Sequence, residues 1–139
     1  MLKYCTVITA VIYFFIGQAA HAGNWNVPRT ARALINPIPV NEQTIARGKQ
    51  IFNIKCARCH GVDGSGNGTE QKVEYALRNV LLIPTGPDSP PLTDGELYWK
   101  LTHGVGRMPA FAGILNDTER WTIVNYLRTF TGEVALSDK

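Results

Sequence analysis

A helical domain of about four short helices is what this sequence predicts, and three observations predict it. Apolar residues recur at helical spacing in several stretches. Capping residues stand directly ahead of three of those stretches: Asn41, Thr93 with Glu96, and Asn116 with Glu119. Prolines and glycines collect in the segments between them. The 139 residues suffice for one such domain preceded by a leader.

Residues 1–22 read as that leader. Lys3 gives a positive start, Val7 to Ile16 is an apolar run, and Ala20-His21-Ala22 offers small residues where a signal peptidase cuts. A secretory signal peptide cleaved after Ala22 is the expectation, with the protein periplasmic or otherwise exported from a bacterial cell. The alternative is an uncleaved anchor, for which the run is short against the about 20 residues that cross a bilayer. Cys5 lies inside this leader and does not follow a Leu-x-Gly-Cys lipoprotein pattern. Of the 14 Lys and Arg, Lys3 goes with the leader, leaving 13 against 11 Asp and Glu. That weak balance, with no basic run, is not the signature of a nucleic-acid binder.

The segment 23–41 carries Pro28, Pro37 and Pro39, which favour extended or turning chain over helix. It reads as an N-terminal arm, with Trp25, Leu34 and Ile38 apolar enough to lie against the domain. The domain itself spans 42–131, and 132–139 is a tail. The first helix runs from Glu42 to Lys55. Ile45, Gly48 and Phe52 share one of its faces, and a glycine at that position suits a close crossing with another helix. Gly61 to Gly68 is a glycine-rich loop. It lacks the Gly-Lys-Ser/Thr of a phosphate loop. Asp63, Ser65, Asn67, Gly68 and Glu74 partly imitate a calcium loop, but Glu70 stands where those loops carry an aliphatic residue.

Thr69 to Val80 reads as a short helix and 81–92 as a stiff, apolar, proline-rich loop. A helix opens at the Thr93–Glu96 capping box, buries Leu97 and Leu101, and ends at Gly104. The last helix runs from Asn116 to about Phe130, with Ile123, Val124, Tyr126, Leu127 and Phe130 in one stripe. Trp121 lies opposite that stripe, placed to hold the arm or sit under a loop.

Between the first helix and the glycine loop stands Cys56-Ala57-Arg58-Cys59-His60. Cys-x-x-Cys-His is the pattern for covalent attachment of a c-type haem. Two intervening residues let both sulfurs reach one porphyrin edge, and the following imidazole then addresses the iron from the same side. A lone disulfide is the plainer reading of two exported thiols, and the adjacent His60 speaks for haem. A second axial ligand must come from the far face. The chain has two methionines, and Met1 falls in the leader, so Met108 remains, next to the rigid Pro109. His103 is the competing ligand, and a core gap-filler is the plain reading of Met108.

With these residues in view, the sequence resembles the small, exported, monohaem class I c-type cytochromes over about residues 42–130. The carriers are the Ile45, Gly48, Phe52 face, the Cys56-Cys59-His60 site, the glycine loop, Met108-Pro109, and the last helix with Tyr126 and Leu127. The resemblance implies an all-α, class I cytochrome c fold of about four short helices around one covalent haem c. In it the first and last helices cross near Gly48, and the low-spin haem is buried except at one edge. Cys56 and Cys59 would form the thioethers; His60 and Met108 would be the axial iron ligands. No catalytic residue is implied, and the role is electron carrier or electron-transfer subunit, not enzyme.

Partners would be redox proteins: a dehydrogenase, an oxidase or a larger respiratory complex, with membrane association only through a partner or a retained leader. Leu81, Leu82, Ile83, Pro91 and Phe111 would keep water off the haem. Lys55, Arg58 and Arg107 would either ring its exposed edge and steer an acidic partner or be ordinary solvated charges. One departure stands out. Relatives place a Pro-Leu pair soon after the histidine, whereas the next proline here is Pro84. The acceptor for His60 Nδ1–H is therefore expected between Ile83 and Leu92. Two other readings compete: a haem enzyme or gas sensor with a labile sixth ligand, and a zinc module on Cys56, Cys59 and His60, which lacks a fourth ligand.

Overall fold

The computed structural model describes residues 25–70 and 91–132. The leader, the expected helix from 71 to 80, the loop as far as residue 90, and the tail beyond Gly132 lie outside the described residues. In chain order the elements are α1 (Arg29–Arg32), α2 (Glu42–Lys55), α3 (Ala57–His60), α4 (Asp94–His103) and α5 (Asp117–Leu127), with 3-10 turns at Phe111–Gly113 and Arg128–Thr131. Among the described residues the only ladder is a single bridge between Val105 and Met108. The described residues form an all-α fold.

The three long helices start where their caps dictate. Asn41 accepts from Thr44 N at 2.9 Å while Thr44 Oγ1 accepts from Asn41 N at 3.1 Å. Thr93 with Glu96, and Asn116 with Glu119, repeat the reciprocal arrangement. Each satisfies two backbone N–H groups that have no partner inside the helix.

Helices α2 and α5 form the centre. Ile45, Gly48, Ile51 and Phe52 are the buried face of α2. A Cβ added at Gly48 would strike Thr122 O and come within 2.8 Å of Tyr126 Cβ. Glycine is therefore needed there, because the α5 backbone occupies the volume. One turn on, Phe52, Tyr126 and Phe130 make an edge-to-face trio with centroids 5.0 to 5.5 Å apart. Each such pair adds about 0.5–1.5 kcal/mol beyond its buried area.

The last helix departs from expectation in two ways. It ends at Leu127 and tightens into the 3-10 turn that carries Phe130. It is also buried on every side from Arg120 to Leu127, not along one stripe. The reason is that α2, α4 and the arm surround it. Trp121 stacks on Tyr98 at 4.0 Å and 7°, and its carbonyl accepts from Asn36 Nδ2 at 3.2 Å.

The arm also departs from expectation. Pro28 does not prevent a helix; it caps one, and α1 makes a single turn from the next residue. Proline with its fixed φ is tolerated there, since it precedes the turn. Leu34 lies against Gly95 of α4 although it is 45% exposed, and Ala31 and Ile38 are the more buried apolar residues of the arm. Polar groups do the rest. Asn125, 1% exposed, accepts from Asn36 Nδ2 at 2.7 Å and donates to the carbonyls of Ile38 and Pro39, both at 3.2 Å. Arg32 pairs with Glu96 at 2.8 Å, and Lys100 Nζ lies 5.1 Å from the Trp25 ring centroid.

Two outcomes are expected. Gly48→Val should cost about 1–3 kcal/mol by overpacking, read as a lower Tm in thermal melts. Asn125→Leu strands the Ile38 and Pro39 carbonyls and Asn36, at about 1–3 kcal/mol per lost partner. It should open the arm to limited proteolysis near residues 34–40 before the domain unfolds.

Candidate functional site

The Cys-x-x-Cys-His segment is placed by the end of α2. Cys56 closes α2, its N–H donating to Phe52 O at 2.8 Å, and the same residue opens α3. Cys59 N and His60 N both donate back to Cys56 O, at 3.0 and 2.9 Å. The three site residues thus share one helical turn. His60 follows Cys56 by four residues, and positions so spaced lie on one face. Cys56 is 6% exposed and belongs to the core cluster with Phe52, Leu101 and Phe111. Cys59 is half-buried, and the two thiols are free rather than joined.

The chemistry of these donors suits uncharged sulfur and neutral imidazole. Burial, then the neighbouring Cys59, pushes the Cys56 thiol up to about 12. A thioether carries no charge and escapes that desolvation cost. Burial likewise lowers the His60 pKa, which favours the neutral ring that binds iron. His60 Nδ1 is buried with no hydrogen-bond partner among the described residues. The acceptor expected between Ile83 and Leu92 falls on a segment of which only Pro91 and Leu92 are described.

Met108 follows α4 in the chain. Helix α4 stops at Gly104, whose φ is +60° and whose added Cβ would overlap Met108 O and the Pro109 carbonyl carbon. A tight turn follows. Val105 N donates to Met108 O and Met108 N to Val105 O, each at 3.0 Å. Both ends of the Met108 backbone unit are thereby fixed, and its side chain packs at the margin of the core cluster. His103, the competing ligand, is exposed, stacked on Trp99 at 4.2 Å, with Nδ1 2.9 Å from Trp99 O. Its ring is used within its own helix.

Of the expected cover, Phe111 is buried and Pro91 is exposed; Leu81, Leu82 and Ile83 lie outside the described residues. Lys55, Arg58 and Arg107 are all exposed. No group of three or more His, Cys, Asp or Glu among the described residues is placed to hold a metal ion. Glu74, the last position of the calcium-like pattern, lies outside the described residues. Asp63 accepts from Ser65 N at 3.1 Å, closing an ordinary turn.

Arg120 was not legible as a site-building residue. Only 4% exposed, it reaches Leu115 O, Asp117 and, at 3.1 Å, Tyr98 OH. It ties the chain after Met108 to α4 and α5. Arg128 does the same for the start of α4, bonding Asp94 Oδ1 at 2.7 Å and Leu92 O at 2.8 Å. A cation inside an otherwise capped, apolar helix was the available signal.

An all-α domain with this turn at the end of its first long helix is a small c-type cytochrome with one covalent haem c. Residues 43–127 match the family described as cytochrome c oxidase, cbb3-type, subunit III, and the chain belongs to that cytochrome c family. It is 30% identical over 88 residues to cytochrome c6 of Diacronema lutheri, covering 63% of this chain and 98% of that one. It is 33% identical over 82 residues to cytochrome c6 of Leptolyngbya boryana, covering 59% and 87%. A chain of the Kuenenia stuttgartiensis reducing HAO-like protein complex superposes with a TM-score of 0.55 at 30% identity. That match covers 68% of this chain and spans 46% of the other. The protein's chemistry is electron transfer by a c-type haem.

Gly104→Ala would place a side chain at φ +60°. Such strain costs on the order of 1–3 kcal/mol, and guanidinium melts should show a loss of that size.

Proposed function

We propose that this chain is an exported electron carrier or electron-transfer subunit, not an enzyme, with His60 and Met108 as axial ligands. Cys56 and Cys59 hold the haem by thioethers. The observation that carries this reading is the single turn Cys56–His60, which puts two sulfurs and an imidazole on one face of the chain. Met108, pinned by its paired bonds to Val105, supports the other half.

Bound there, the haem supplies a one-electron Fe(III)/Fe(II) couple. The protein's part is to hold and to exclude. Cys56 and Cys59 would anchor the ring. Burial favours neutral His60, and an acceptor from residues 83–92 would hold its Nδ1–H and leave Nε2 for iron. Met108 offers a soft thioether, which favours Fe(II) and raises the potential. Neither ligand needs to move between oxidation states, because both sit on hydrogen-bonded turns. Phe111 and Leu101 help keep the site dry, with Leu81, Leu82 and Ile83 proposed to complete the cover. Lys55, Arg58 and Arg107 then present positive charge to an acidic redox partner such as a dehydrogenase, oxidase or larger respiratory complex. Residues 1–22 act as the cleaved leader, 23–41 as the arm and 42–131 as the haem domain. Among the described residues no helix is long and apolar enough to cross a membrane.

The test is a visible spectrum of the purified exported protein, oxidised and reduced, beside its variants. Met108→Ala should abolish the Fe–S charge-transfer band and admit carbon monoxide, while His103→Ala leaves the band in place. A band that survives Met108→Ala sinks the ligand assignment. A colourless protein with no added mass sinks the haem reading altogether.

A further inference from the structure

Glu70 closes the glycine loop onto the Cys56–His60 turn. It sits 14 positions past Cys56 in the sequence, yet the glycine loop folds back and returns it to the attachment turn. Gly66 N donates to His60 O at 2.8 Å, and Glu70 N donates to Arg58 O at 2.8 Å. Between them Gly68 runs against α3 so closely that an added Cβ would lie 2.6 Å from the Cys59 carbonyl carbon and overlap Arg58 O. The consequence is a carboxylate at the second thiol. Glu70 Oε2 lies 3.9 Å from Cys59 Sγ, and Glu70 Oε1 lies 3.4 Å from Arg58 Nη1.

This arrangement is not a stability device. The Arg58 and Glu70 side chains are 59% and 53% exposed, and ion pairs so exposed add little to stability. What a fixed anion does at this place is electrostatic. Oxidised haem iron carries one more positive charge than reduced iron, so a nearby carboxylate stabilises Fe(III) relative to Fe(II). Arg58, inside the attachment motif, does the opposite, and the two partly cancel.

We propose that Glu70 is a positioning and tuning residue of the haem edge, holding the potential down by placing its charge beside the Cys59 thioether and offsetting Arg58. The proposal rests on Cys59 being a haem attachment residue. The Sγ–H contact of the free thiol cannot persist once the sulfur is alkylated. The backbone bond from Glu70 N to Arg58 O, and the pairing with Arg58, keep the carboxylate at the same edge.

The experiment is potentiometric titration of the purified holoprotein at low ionic strength. Glu70→Gln keeps shape and removes the charge. It should shift the equilibrium with a fixed redox mediator about threefold toward Fe(II), as a unit charge about 10 Å away in a polar surrounding would. At 59 mV per decade for one electron, that is a rise of about 28 mV. Arg58→Gln should move the potential down, Glu70→Asp should restore it toward wild type, and about 1 M salt should shrink both shifts. Glu70→Gln holoprotein with an unchanged potential overturns the proposal and leaves the haem reading intact. A potential that drops in Glu70→Gln overturns it too. Wild-type protein without covalently added mass removes the haem reading, and this proposal with it.

Discussion

The close crossing of α2 on α5 is the constraint on which the rest depends. Only a hydrogen fits between Gly48 and the Thr122 carbonyl. Bringing the two backbones that near lets Ile45 and Phe52 reach Ile123, Tyr126 and Phe130 in one apolar cluster. Because Cys56 is both the end of α2 and the start of α3, the attachment turn inherits its position from that crossing. A helix that slid or rolled at Gly48 would carry both sulfurs and His60 with it. The place of the Cys56–His60 turn is thus set by backbone contact about two helical turns earlier in the chain.

The proposed second ligand is held differently. Met108 sits in a short turn, and short turns are soft unless something holds their ends. Gly104 lets the chain reverse, the Val105–Met108 bridge locks the turn, and Arg120 secures Leu115 a few residues later. Buried cations are costly unless well bonded. Arg120 meets a carbonyl, a phenol and a carboxylate, and lies over the Tyr98 ring with its guanidinium carbon 5.3 Å from the centroid. That ring is in turn stacked on Trp121. The loop is therefore tied into the same core that positions the thiols.

What could be read from sequence follows the range of the physics. Helix starts were legible because capping is local: Asn41, Thr93 and Asn116 each act within three residues. The Cys56–His60 motif was legible because it is written in five consecutive residues, and these fold as one turn. Gly48 was legible as a crossing because a glycine inside an apolar face has few other uses. Long-range polar pairs were not. Asn36 and Asn125 are 89 positions apart, and neither announces its partner, although a polar Asn125 between Val124 and Tyr126 hinted at one. The α1 turn was missed because three prolines nearby argued for extended chain, and Pro28 happens to stand where proline is harmless. Trp121 showed its off-stripe place, but its Tyr98 partner depends on how α4 lies against α5.

The pairing of α2 with α5 has a consequence for the order of events during synthesis. Chains emerge from their N-terminus, so α2 exists long before the helix it must lie against. Asn36, Ile38 and Pro39 must wait for Asn125, which follows them by 86 to 89 positions. The Cys56–His60 turn is made in that interval, ahead of the helix that seats on Gly48. A topology that pairs an early helix with a late one thus leaves this turn without its final packing while the intervening chain is being made.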